Sequence, residues 1–214
     1  HFFYPEGLET APTVETTPRR RFLGRDAPLL YVDTSPLYPW AAMPIDSYSR
    51  YNLLHGVVVR GLLTELLEAG YLAGAPLEAV GVVSPFVAQG RLLARLVPDV
   101  LREHARALVA TVHRFQGNEK RAIIFDLTEA PGTRVSQFLR ARRIDEDGAR
   151  LLNVGLSRAR HHLVLVGEFD HLQRRAGPIV RKIVEWFRDR GEPLDAKDLL
   201  RAARVDWTEA LEPA

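Results

Sequence analysis

Arg150-Leu-Leu-Asn-Val-Gly-Leu-Ser-Arg-Ala-Arg-His-His-Leu-Val-Leu-Val-Gly167 contains a change of period. Leu152, Leu156 and Ala159 recur at i, i+4 and i+7, which predicts one apolar stripe of a helix over Arg150 to Arg160. From His162 to Gly167 the chain becomes apolar without alternation, the pattern of a short strand buried on both faces. A helix feeding such a strand is one repeat of an α/β fold.

The same pattern extends outward. Pro28 to Asp33, Val80 to Val83, Leu108 to Val112 and Ala122 to Leu127 read as further buried strands. Between them, Leu53, Leu54, Val57, Val58, Leu62, Leu66 and Leu67 give a helix over Ser49 to Ala69. Ser49 is its expected cap and Gly70 its stop. A second helix runs from about Val87 to Val97, ahead of Pro98. Two amphipathic helices over 178–190 and 195–204 close the chain. The prediction is a doubly wound, mostly parallel α/β sheet of about five strands with helices on both faces. Residues 1–27 read as an irregular lead-in, 28–190 as the domain, and 191–214 as a helical tail. The abrupt His-Phe-Phe-Tyr opening, without an initiator Met, is what a piece of a longer chain would show.

Composition limits the chemistry. The 214 residues carry 29 basic and 27 acidic side chains and no cysteine. Disulfides, thiolate metal sites and cysteine nucleophiles are therefore excluded. No apolar run approaches the ~20 residues of a membrane span, so a cytoplasmic protein without membrane contact is expected. Charge is uneven: between 134 and 160, seven arginines face only Asp145, Glu146 and Asp147. Such a stretch is either a solvated loop or a phosphate-facing one. The sequence lacks a G-x-x-x-x-G-K-[ST] loop, a G-x-G-x-x-G after a strand and any H-E-x-x-H, and no metal site is expected.

Ligands of open parallel sheets lie beyond the strand ends, and three strand-end segments stand out. They are Val80-Gly-Val-Val-Ser-Pro-Phe-Val-Ala-Gln89, Thr111-Val-His-Arg-Phe-Gln-Gly-Asn-Glu-Lys120, and Leu152-Asn-Val-Gly-Leu-Ser-Arg-Ala-Arg160. Gly117 has no Cβ and lets backbone N–H groups approach a phosphate or ribose. Gln116 can donate and accept, and Glu119 can accept from a hydroxyl. Ser84, Pro85, Thr111 and Val112 offer a hydroxyl or free backbone at strand ends, suited to gripping a phosphate chain without reading bases. Ser84-Pro85 is equally a helix start, with Ser as cap and Pro at the first position. Phe86 has two readings, stacking on a base or packing in the core. Arg158 falls on the helix with Leu151, Val154 and Gly155, and Gly155 would leave room for its side chain.

Taken in order, the three segments resemble motifs IV, V and VI of the C-terminal motor domain of superfamily 1 helicases. The branch is the one that includes RNA-surveillance and replication-associated enzymes. Phe3-Tyr4-Pro-Glu-Gly-Leu8 and Ser49-Arg-Tyr-Asn52 extend the resemblance, which covers roughly residues 2–190. The resemblance implies a RecA-like domain in which Arg158 and Glu119 are catalytic. Arg158 would be an arginine finger on the γ-phosphate, and Gln116, Gly117, Glu119 and Arg158 would contact ATP. Ser84, Pro85, Thr111 and Val112 would hold single-stranded DNA or RNA. ATP and Mg²⁺ would be held mainly by an upstream P-loop motor domain of the same protein, and the isolated chain would be inactive. The alternative is a non-catalytic module of helicase ancestry that binds nucleic acid or protein. Departures are His113 and Arg114, where the family carries acidic or small residues. Ser-Arg-Ala-Arg also replaces the commoner Thr-Arg-Ala-Lys, and no Gln-Tyr-Arg-Met stretch is present.

Overall fold

Each apolar run becomes a strand because alternate side chains have a core to enter on both sides. A computed structural model describes residues 21–115 and 119–205. In chain order the elements are β1 (Leu29–Asp33), α1 (Leu53–Glu68), α2 (Pro76–Ala79), β2 (Val80–Ser84), α3 (Val87–Leu96), α4 (Ala105–Leu108) and β3 (Val109–Thr111). They continue with β4 (Lys120–Asp126), α5 (Asp147–Leu156), β5 (Ala159–Gly167), α6 (Phe169–Arg175), α7 (Pro178–Arg190), β6 (Glu192–Pro193) and α8 (Ala196–Ala202). Among the described residues these form one six-stranded sheet in the order β3-β2-β4-β5-β1-β6. Every pairing is parallel.

The pleat of β4 shows how both faces fill. Ala122 and Ile124 enter a core shared with Leu62, Leu66 and Leu199 of α1 and α8. Ile123 and Phe125 enter the opposite core, with Leu152, Phe169, Ile183 and Phe187 of α5, α6 and α7. The sheet is therefore covered by helices on both sides, as in a RecA-like domain. No helix of the described residues is long and apolar enough to cross a membrane.

All five expected strands are present, and tertiary contacts revise their flanks. β6 is an added edge strand, paired to β1 at Leu30 and Tyr31. The α1 helix starts at Leu53, where the Asn52 side chain accepts from the His55 N–H. Ser49 caps a different helix, its hydroxyl accepting from Ala88 N–H at the start of α3. Gly70, at φ +66°, does terminate α1. The helix expected over 150–160 runs from Asp147 to Leu156 instead. Lys120 N–H bonds to the Arg158 carbonyl, and Ala159 pairs with Lys120, so the sheet takes over the chain where the apolar stripe suggested another helical turn. Ala159 is thus a strand residue and Arg158 lies in the turn before it.

The terminal segments are part of the packing. Phe22 is fully buried, its ring 5.3 Å from that of Tyr71 and 5.4 Å from that of His162. Leu194, Ala196 and Leu199 bury into the α1 side of the core. Gly61 makes this possible: a Cβ there would stand 1.8 Å from the Leu199 carbonyl oxygen. Gly61→Ala should therefore lower unfolding free energy by about 1–3 kcal/mol or displace α8. Gly90→Ala in α3 would meet only Thr111 Cγ2, at 3.9 Å. It should be neutral or stabilising by up to ~1 kcal/mol. Urea denaturation of the two variants checks the opposite signs.

Candidate functional site

The candidate residues divide between the two ends of the sheet. Glu119 and Arg158 sit at the amino ends of β4 and β5, whereas Ser84 and Thr111 sit at the carboxyl ends of β2 and β3. Strands of this length separate the two edges by roughly 15–20 Å. Gln116 and Gly117 lie outside the described residues.

At the amino edge, the Arg158 backbone is held by the bond from Lys120 N–H, at 3.1 Å. Its side chain is partly buried, and its Nε is enclosed without a hydrogen-bond partner among the described residues. A buried guanidinium N–H with no acceptor is costly, and an incoming anion would relieve that cost. Gly155 does not make room for Arg158. A Cβ on Gly155 would lie 2.1 Å from the Phe125 ring, so this glycine admits Phe125 between sheet and helix. Glu119 is exposed and pairs with Arg160 across 3.0 Å.

At the carboxyl edge, Ser84 is fully buried. Its hydroxyl meets Thr128 Oγ1 at 3.0 Å and accepts from Phe86 N–H at 3.2 Å, which closes a turn ahead of α3; the N-cap is Phe86, so Ser84 is not the cap and Pro85 is not the first helical residue. Val112 is also fully buried, while Pro85 and Thr111 remain partly exposed. Phe86 packs inward against Phe138, with the Arg50 guanidinium 5.3 Å from its ring centroid. Core packing, rather than base stacking, is its place here. Asp145 and Arg143 pair with each other on the exposed part of the 128–146 connection.

Sequence reasoning missed a buried polar network beneath this edge. β2 continues to β3 on one side and β4 to β5 on the other, so the loops after β2 and β4 diverge. There the Asp126 carboxylate receives His55 Nδ1 at 2.7 Å, Gln89 Nε2 at 2.6 Å and Thr128 N–H at 2.8 Å. His55 Nε2 lies 2.9 Å from Thr34 Oγ1. Gln89 Oε1 accepts from Asn52 N–H at 2.7 Å, and Asn52 Nδ2 donates to the Thr128 carbonyl. The available signal was Asp126 itself, a carboxylate inside an otherwise apolar strand. Beside it Arg50 Nε meets Glu129 Oε1 at 3.2 Å. Burial nevertheless outweighs the attraction of Arg50 and the bond from Ser136, and holds the Glu129 carboxyl above its ordinary 4.5.

Gln89→Leu would strand both Asn52 N–H and one Asp126 oxygen. It should cost about 3 kcal/mol or more, read by urea unfolding. Folding favours protonated Glu129, so this group's contribution is present below pH 4.5 and is lost as pH rises through its folded value. Unfolding measured from pH 4.5 upward should show a smaller decline for Glu129→Gln than for the unaltered chain.

Comparison with known proteins agrees with this geometry. A family described as an AAA domain matches residues 1–170. DNA polymerase alpha-associated DNA helicase A of Saccharomyces cerevisiae is 30% identical over 183 residues, covering 85% of this chain and 25% of that protein. ATP-dependent helicase NAM7 of the same yeast is 26% identical over 202 residues, covering 89% of this chain and 19% of that protein. The mouse DNA replication ATP-dependent helicase/nuclease DNA2 is 30% identical over 123 residues, covering 53% of this chain and 10% of that protein. The chain thus spans a quarter or less of the length of these relatives. With motif-bearing strand ends on an all-parallel RecA-like sheet, the chain belongs to the AAA-domain family and is a superfamily 1 helicase-like domain.

Proposed function

We propose that the chain is the second motor domain of an ATP-dependent nucleic-acid helicase, completing the ATP site and gripping a single strand. Arg158 carries this reading. Its guanidinium is partly enclosed at the amino edge of β5, its backbone is fixed by β4, and its Nε has no acceptor among the described residues. An anion delivered from outside the chain fits that need, and a γ-phosphate presented by an upstream P-loop domain supplies one. The ATP-dependent helicase relatives support the same assignment.

In this reading Arg158 places a rigid donor fork where charge develops on the transferring phosphoryl group. Glu119 would exchange Arg160 for a nucleotide hydroxyl or a positioned water, and Gln116 and Gly117 would complete the contact. Mg²⁺, held mainly by the upstream domain, would neutralise phosphate oxygens. The single strand, DNA or RNA, would lie along the carboxyl edge. Pro85 and Thr111 would touch it, with Ser84 and Val112 supporting them from beneath.

Arg158→Ala in the complete two-domain protein should lower kcat for single-strand-stimulated ATP hydrolysis by about 10²–10⁴, with thermal melting unchanged. Arg158→Lys should not rescue it, because an ammonium lacks the planar fork. The neighbouring Arg160 is not a clean control, because it pairs with Glu119. Arg150, exposed on α5, is. Equal losses from Arg158→Ala and Arg150→Ala would reject the assignment.

A further inference from the structure

The loop that follows β1 exposes large apolar side chains to an unusual degree. Tyr38 is 88% exposed, Trp40 67%, Ile45 93% and Tyr48 96%. Isolated exposed apolar residues are ordinary, but several in one loop indicate a binding surface. The backbone beneath them is fixed. Ala41 N–H bonds to the Pro131 carbonyl at 2.8 Å, and Ala42 and Tyr51 exchange two bonds of 2.9 Å. Gly132, at φ +106°, lets this crossing close: a Cβ there would lie 2.5 Å from the Ala41 carbonyl oxygen. Tyr38 and Asp46 hold left-handed backbone at φ +49° and +59°, a costly conformation for residues with side chains. The rings are therefore held outward by a pinned and locally strained chain.

Two further observations indicate what they face. The loop crosses the carboxyl edge of the sheet, and Ser49 at its end caps α3 immediately after Pro85, on the edge that also carries Thr111. It is also stitched to the arginine-bearing connection after β4. Arg50 donates to the Arg134 carbonyl, and the Arg134 side chain is exposed with no ion-pair partner among the described residues. Outward aromatic rings on a loop tied to an exposed arginine supply the two parts of a sequence-tolerant single-strand site. The rings stack on bases and the cation follows the phosphates. The position of the loop on the edge that carries Pro85 and Thr111 favours a nucleic-acid strand over a protein as its occupant.

We infer that Tyr38, Trp40 and Tyr48 form a base-stacking platform for single-stranded nucleic acid, with Arg134 serving the phosphates. This rests on the nucleic-acid reading above and extends the strand's path beyond Pro85 and Thr111. The test measures binding of the 214-residue chain to labelled oligo(dT) of about 15 nucleotides, and to an abasic deoxyribose-phosphate strand of equal length, across a salt series. Trp40→Ala and Tyr48→Ala should each weaken oligo(dT) binding by about 5- to 100-fold, leaving abasic binding and the salt slope unchanged. Arg134→Ala should weaken both ligands and reduce the salt slope by about one. Trp186→Ala, which alters an exposed tryptophan on α7, should change neither. If the unaltered chain binds oligo(dT) with a salt slope and Trp40→Ala does not change that affinity, the platform is wrong while the nucleic-acid reading stands. Should the unaltered chain bind neither strand at any salt, both fall. If Trp40→Ala abolishes self-association in sedimentation while oligo(dT) affinity is kept, the loop is a protein interface and the platform is rejected.

Discussion

The pairing of β4 with β5 fixes both ends of this domain at once. Its register runs from Lys120 opposite Ala159 to Asp126 opposite Val166. At the amino end it draws Arg158 into the turn before β5 and brings Glu119 beside Arg160. At the carboxyl end it delivers Asp126 to the polar network. A one-residue slip would exchange the two faces, moving Ile123 and Phe125 out of one core and Ile124 out of the other. Phe125 also sets the position of α5, because its ring occupies the space that a side chain on Gly155 would need. The arginine turn therefore inherits its position from sheet packing and not from helix geometry.

The carboxyl edge is organised by hydrogen bonding. A buried carboxylate is tolerated only when its oxygens are satisfied, and Asp126 has donors from α1, α3 and its own following turn. Thr128 takes a left-handed conformation at φ +66°, unusual for a β-branched residue, and the same carboxylate anchors its N–H. The network consumes Ser84 as a structural partner of Thr128. Pro85, Thr111 and the aromatic loop after β1 then make up the exposed part of that edge. The amino-edge and carboxyl-edge candidates are separated by the length of β4 and are connected rigidly through one sheet.

The sequence by itself determined the sheet, because a continuous apolar run of four to six residues can be satisfied only between two covered faces. It also determined the family, because three polar segments of specific composition recur at strand ends in a fixed order. Composition and period could not say where the helix around Leu156 stops. A local stripe carries no information about the strand that will pair with Ala159, and that pairing decided it. Nor could they assign hydroxyls and glycines to partners. Ser49 caps α3 rather than α1, Ser84 turns inward, and Gly155 and Gly61 admit Phe125 and Leu199, because each contact joins residues far apart in the chain. The exposure of Tyr38, Trp40 and Tyr48 was likewise invisible in sequence, since aromatic residues between prolines read equally as buried or outward. Only the crossing of their loop over Pro131 and Gly132 turned them to the surface.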